Sequence, residues 1–245
     1  MNDKLQQIDT LLGELNQYRA KENYRITEAL EIEYTYDSNR IEGNTLTLHE
    51  TDMVVNKGIT IAGKGLKEHL EAINHKEAID FIKDIAQKKE PISERVLLDI
   101  HAIVLHSIDK DNAGKYRRVP VIISGSKHIP PQPYLLQPKM DELFQWYEAN
   151  KDSMHPVILA AQMHEKLVSI HPFIDGNGRT ARLLMNLILM QHGYPIANIK
   201  GDNETRRHYY ETLEEASSGD NSAFVEFIED VVIQSLTYYL KIIRG

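Results

Sequence analysis

Residues 183–190 read Leu-Leu-Met-Asn-Leu-Ile-Leu-Met, apolar on every side of a helix except at Asn186. Such a helix has no face to turn to water, so it must run through a core with other elements packed around it. Gly193 and Pro195 supply ordinary stop signals behind it. It is far too short to cross a bilayer. The rest of the chain also reads as helices. Leu5, Ile8, Leu12 and Leu15 make one stripe at helical spacing, and Ile26, Ala29 and Leu30 begin another. Thr47 and Glu50 form a capping box for a short helix that Gly58 ends. Leu66, Leu70, Ile73, Glu77 and Phe81 mark a long helix reaching towards Lys89. Ser93 caps the next, through Val96, Leu97, Ile100 and Val104. Further helical stretches cover 140–147, 157–168, 179–192, 205–217 and 224–243. With no repeat, low-complexity tract or flexible linker among 245 residues, the pattern predicts a single all-α domain.

Directly before the apolar helix, residues 171–182 run His-Pro-Phe-Ile-Asp-Gly-Asn-Gly-Arg-Thr-Ala-Arg. This sets Gly176, Asn177 and Gly178 at a helix N-terminus, where unpaired N–H groups and the dipole attract an anion. Arg179 and Arg182 share one face of the first turn. Cations there oppose the macrodipole by roughly 0.3–1 kcal/mol each, a local cost that a bound anion offsets. A polyphosphate satisfies the amides and both guanidiniums together, and Asp175 can hold its Mg²⁺ or Mn²⁺. His171 is the group in this run able to take a proton near neutral pH. His155, His164 and His171 lack the spacing of a metal-binding helical pair. His164, on an apolar helix, reads as a packed and hydrogen-bonded residue. His101, His106, His128, His192 and His208 show no ligand spacing either.

The run resembles the signature of the Fic family, HxFx(D/E)GNGRxxR, at His171, Phe173, Asp175, Gly176, Asn177, Gly178, Arg179 and Arg182. The resemblance implies an enzyme that transfers the AMP part of ATP to a protein hydroxyl on Ser, Thr or Tyr. It implies His171 as base, Asp175 on the metal, and Gly176, Asn177, Gly178, Arg179 and Arg182 around the phosphates, with Asn177 acting through its side chain. The similar Doc-like kinases carry Lys in place of Gly178 and bind the nucleotide reversed, so glycine here implies adenylyl rather than phosphoryl transfer. After Gly114-Lys-Tyr-Arg117 come two extended runs, over about 119–131, that flank Gly125-Ser126. Glycine at the first central position suits a type II′ hairpin turn. On residue types alone this is a plain surface hairpin. Beside the signature it resembles the family's β-hairpin flap, in which Val121, Ile122, Ile123 and Gly125 would hold a target segment by strand pairing. Tyr210 and Glu214 resemble the adenine-contacting positions, with Ser217 where asparagine is frequent. The resemblance covers about residues 38–228, after N-terminal helices over 1–37 and before a C-terminal helix over 229–245 on the same domain.

Ser38-Asn-Arg-Ile-Glu42-Gly43-Asn44 follows an amphipathic stretch over 24–36 and resembles the family's inhibitory motif, (S/T)xxxE(G/N). The resemblance pairs Glu42 with Arg182, since one guanidinium fork cannot serve both a carboxylate and the γ-phosphate. Read without the signature, the segment is a polar loop in which Ser38 or Asn44 makes a turn. Two other functions stay open. One is removal of AMP from modified protein at the same site, with Glu42 placing a water. The other is a nucleotide-sensing module without turnover. A formal charge of −8 and no long basic run argue against nucleic acid as partner. The N-terminal residues have neither a basic start nor an apolar stretch of signal-peptide type, and the chain has no cysteine. The expectation is a cytoplasmic protein with no membrane partner. A target protein is the implied partner, with self-modification and homo-oligomerisation open.

Overall fold

The structure, a computed structural model, describes residues 3–244. The outer ends of the first and last expected segments, at residues 1, 2 and 245, lie outside the described residues. Ten helices follow one another among them: α1 (Asp3–Tyr18), α2 (Tyr24–Ile41), α3 (Leu48–Lys57), α4 (Leu66–Lys88), α5 (Glu94–Leu105), α6 (Leu136–Asn150), α7 (Pro156–Ile170), α8 (Asn177–Gln191), α9 (Asn203–Ser217) and α10 (Ser222–Arg244). None is long and apolar enough to cross a membrane.

The apolar helix is the axis of the molecule. Leu183, Leu184, Met185, Leu187, Ile188 and Leu189 are wholly buried, and α7, α4, α5 and α2 pack around them. Asn186 is tolerated inside because its side chain is fully used. Its Nδ2 donates to Arg182 O and Ala197 O, and its Oδ1 accepts from Ala197 N at 2.7 Å. The chain leaving α8 is thereby fastened back onto it. α10 packs on α1, α7 and α9, so the first and last helices close on the same core.

Local signals place several boundaries. Thr47 and Glu50 make the expected capping box, and Gly58, at φ +63°, ends α3 in the left-handed region. Asp202 caps α9 by accepting from Glu204 N and Thr205 N, which starts that helix slightly before the apolar stripe does. α2 runs beyond residue 36 to Ile41, so Ser38 sits on its last turn and not in a polar loop. That turn is interior: Tyr34, Thr35, Asp37, Ser38, Asn39 and Ile41 are buried.

The expected hairpin is corrected. No strand occurs among the described residues, and 119–131 is irregular. Its turn closes by Ser126 N donating to Ile123 O at 3.2 Å. Gly125, at φ +82°, therefore occupies the second central position. That is the type II arrangement, which splays the flanking arms where type II′ would pair them. Pro120, Pro130 and Pro131 also offer no N–H to a ladder.

Leu184→Ala, which empties space at the centre of α8, is expected to destabilise the fold by about 2–5 kcal/mol. Urea unfolding should show a lower midpoint with an unchanged slope; an unchanged midpoint would mean that α8 is not the core axis.

Candidate functional site

α7 ends at Ile170, and His171 follows in the left-handed region at φ +50°. For a non-glycine residue that conformation costs on the order of 1–3 kcal/mol. The chain then turns through Pro172 and Phe173 to Gly176, at φ +79°, immediately before α8. A Cβ at Gly176 would lie 3.3 Å from Val104 and 3.5 Å from His101, so both space and conformation call for glycine. Asn177 closes this loop. Its Oδ1 accepts from Phe173 N and its Nδ2 donates to Phe173 O, both at 3.0 Å. The second N–H of its Nδ2 is not engaged by that pair and is the donor a phosphate contact from this side chain would use. His101 of α5 stacks on the Phe173 ring, with centroids 3.6 Å apart. Its Nδ1 accepts from Gly114 N, and its Nε2 donates to Asp175 O at 3.0 Å. An amide N–H can only donate, so this imidazole is neutral with its proton on Nε2. Burial, outweighing the Asp175 carbonyl, pushes its pKa down to about 4.

Asp175 Oδ1 accepts from Gly176 N at 2.6 Å and from Arg179 Nη2 at 3.1 Å, and Oδ2 from Lys67 Nζ at 3.4 Å. Burial opposes its charge, but Arg179, Lys67 and the Gly176 N–H outweigh it and hold the carboxyl below the usual range. A half-exposed, ionised carboxylate suits Mg²⁺ or Mn²⁺ that draws its other ligands from phosphate and water. No cluster of three or more His, Cys, Asp or Glu among the described residues forms a cage of protein ligands alone.

The two arginines are interior. Arg179 is 2% exposed, with Nη1 3.5 Å from Glu71 of α4. Arg182 is fully buried, and each of its nitrogens has an acceptor. Nη2 donates to Glu42 Oε1 at 2.7 Å and Ser38 O at 2.9 Å, Nε to Ser38 Oγ at 3.0 Å, and Nη1 to Tyr209 OH at 3.4 Å. Tyr209 OH in turn meets His164 Nε2 at 3.1 Å. Burial first, then the Arg182 charge, pushes His164 down to about 3, which leaves it a neutral acceptor. Gly178 has a part in this arrangement that its residue type does not reveal. A Cβ there would fall 2.4 Å from Glu42 Oε1 and 3.0 Å from Arg182 Nη1, so glycine is what lets the carboxylate reach the guanidinium.

Beside the pair lies a cavity of about 550 Å³ whose lining includes Glu42, Ile123, Gly125, His171, Gly178, Tyr210 and Glu214. The residues expected as base, brake and adenine contacts thus share one space. Tyr210 OH donates to Ile41 O at 3.2 Å, which links that ring to the last turn of α2. The Glu214 carboxylate accepts from Ser126 Oγ and from Lys127 N, so it fastens the tip of the 119–131 segment. Val121 is half-buried on this segment and Ile122 is exposed. Nothing in the sequence pattern singles out His101, Glu71 or Arg117. Each becomes visible only when α4, α5 and the loop before α8 come together.

The Fic/DOC family model matches residues 91–189, the stretch from before α5 through most of α8. A protein adenylyltransferase Fic from Nematostella vectensis is 39% identical over 210 residues, 85% of this chain and 48% of that protein. The chain thus spans about half the length of the curated relatives it matches. A Fic-domain-containing signaling protein from Bacteroides thetaiotaomicron is 30% identical, with a TM-score of 0.88 over 99% of this chain and 97% of that one. Fic-1 from C. elegans is 32% identical, with a TM-score of 0.85 over 97% of this chain and 71% of that one.

Burial, outweighing the Val168 carbonyl, pushes the His171 imidazole below the ordinary histidine range, and the Arg117 charge adds to this. The ring is therefore neutral at pH 7 and takes a proton only on further acidification. An NMR titration of histidine-labelled protein should place His171 below about 6.5; titration at or above that value would contradict the burial argument.

Proposed function

Because the chain belongs to the Fic/DOC family, we propose that it transfers AMP from ATP to a hydroxyl side chain of a target protein, under restraint by Glu42. Similarity to proteins named adenylyltransferases supports the reaction. The observation that carries the restraint is the 2.7 Å bond from the buried Arg182 guanidinium to Glu42.

The phosphates of ATP lie along the N-terminus of α8, near Gly176, Asn177, Gly178 and Arg179, where amides and dipole favour negative charge. Asp175 would hold Mg²⁺ or Mn²⁺, which when bound neutralises phosphate charge. The target hydroxyl, presented along the 119–131 segment, gives its proton to His171 while its oxygen attacks the α-phosphorus. The bond from that phosphorus to the bridging oxygen breaks, and pyrophosphate leaves. Backbone N–H groups with Arg179 and Arg182 stabilise the departing charge. While Glu42 holds Arg182, the γ-phosphate finds no free fork there. A charge-assisted hydrogen bond is worth roughly 1.5–3 kcal/mol, or about ten- to a hundredfold in rate. Glu42 and His171 line the same cavity, which favours one second reading: removal of AMP from modified protein, with Glu42 placing the attacking water.

Glu42→Gly is expected to raise labelling by ATP at least about tenfold, on the chain itself and on targets. Combining it with Arg182→Ala should return labelling to little or none, as a coupled pair requires. Products should gain the mass of AMP. A Glu42→Gly rate equal to the parent's overturns the restraint, and products carrying only phosphate overturn AMP transfer. Loss in Glu42→Gly of an AMP-removing activity present in the parent would establish the second reading.

A further inference from the structure

Arg117 is 3% exposed, and burial alone displaces its pKa, downwards. Its fork is spent on main-chain carbonyls. Nε donates to His171 O at 2.8 Å, Nη1 to Val119 O at 3.0 Å and Nη2 to Pro131 O at 2.5 Å. Its own N–H bonds Pro172 O at 2.9 Å. The three side-chain acceptors belong to the residue proposed as base and to the two ends of the segment proposed to present the target.

We infer that Arg117 is a positioning residue: by tying the His171 carbonyl to both ends of the 119–131 segment, it sets the distance between the proton acceptor and the hydroxyl presented to it. This rests on the transfer reaction proposed above. Three observations carry it. The segment has no backbone ladder, so the guanidinium does for its base what strand pairing would do in a hairpin. Glu214 fastens the tip independently and His128 Nε2 meets Ser169 O at 2.7 Å midway along, so Arg117 fixes the base, where the segment is bonded to His171 itself. His171 holds a left-handed backbone conformation, which persists only where its surroundings over-determine it, and Arg117 supplies the bond to its carbonyl. A lysine could not replace the fork, because an ammonium is a point donor on a flexible stem whereas the guanidinium is planar with donors in fixed directions.

Besides Arg117, the groups acting on the His171 ring are Glu42 from the end of α2, His128 from the segment and the Val168 carbonyl of α7. Burial is the main influence on the ring, and Arg117 and His128 act in the same direction. Arg117→Lys keeps the charge and loses the fork, whereas Arg117→Met loses both.

In a Glu42→Gly background at saturating ATP, Arg117→Lys is expected to lower kcat for AMP transfer roughly ten- to a hundredfold. The KM for ATP should stay within about twofold, since Arg117 does not touch the phosphate site. In the otherwise native chain, NMR should show His171 titrating near the parent value in Arg117→Lys and moving up towards the ordinary histidine value in Arg117→Met. If both variants fold and keep the parent's kcat and His171 titration, with only Tm lowered, Arg117 merely staples a loop and the inference is overturned. Should Arg117→Met fail to fold, Arg117→Lys decides through the split between kcat and KM. If the Glu42→Gly parent transfers no AMP at all, the transfer reading fails by itself. The titration then decides separately whether Arg117 governs His171, and an unmoved His171 in Arg117→Met overturns that.

Discussion

A guanidinium with no exposure to water, set in the first turns of a helix buried over twelve of its fifteen residues, dictates what its neighbours must supply. Arg182 needs acceptors on all sides, and they come from separate parts of the chain: Ser38 and Glu42 at the end of α2, and Tyr209 on α9. A buried guanidinium left without an opposite charge is costly, and Glu42, itself partly exposed, supplies that charge. The end of α2 is therefore as much part of the core as α8 is. Gly178 follows from the same constraint, since any side chain there would occupy the space of the Glu42 carboxylate.

The helix that brings Glu42 is locked on both flanks. Asp37 accepts from Gly201 N at 2.9 Å and from Asn198 Nδ2 at 2.7 Å, which binds α2 to the loop before α9. Asn44 donates to Glu71 on α4, the same carboxylate that lies beside Arg179. Tyr210, which lines the cavity, bonds the Ile41 carbonyl. Within this last turn, the Glu42 side chain remains about one-third exposed. The proposed restraint thus needs no departure of a helix for its release. Reorientation of one carboxylate, with its backbone held, would release one Nη2 N–H of Arg182 while Ser38 keeps Nε and the other Nη2 N–H.

The helical architecture was legible because its signals are local. An apolar run, a Thr47–Glu50 capping box and the stop at Gly58 each depend on residues within a few positions of one another. The cluster at residues 171–182 was legible for the same reason, being continuous in sequence. What the sequence could not convey depended on partners far along the chain. Gly125 in a turn suits either central position, and a difference of one residue separates a paired hairpin from the splayed segment seen. Asn177 carries an amide able to serve a phosphate, and its residue type does not reveal that Oδ1 and one N–H also close the loop through Phe173. Glu214 bonds the tip of the segment, and Arg117 finds its acceptors among main-chain carbonyls. Every residue has such a carbonyl, so no residue type marks the acceptor.

The central claim is that Glu42 and the γ-phosphate compete for one guanidinium. Crystal structures of the parent chain and of Glu42→Gly, each with a non-hydrolysable ATP analogue and Mg²⁺, test it most directly. The account predicts that Glu42 remains on Arg182 in the parent with the γ-phosphate elsewhere, whereas in Glu42→Gly the γ-phosphate takes the Arg182 fork. A parent complex in which Arg182 binds Glu42 and the γ-phosphate together, with the nucleotide posed as in the variant, would contradict it.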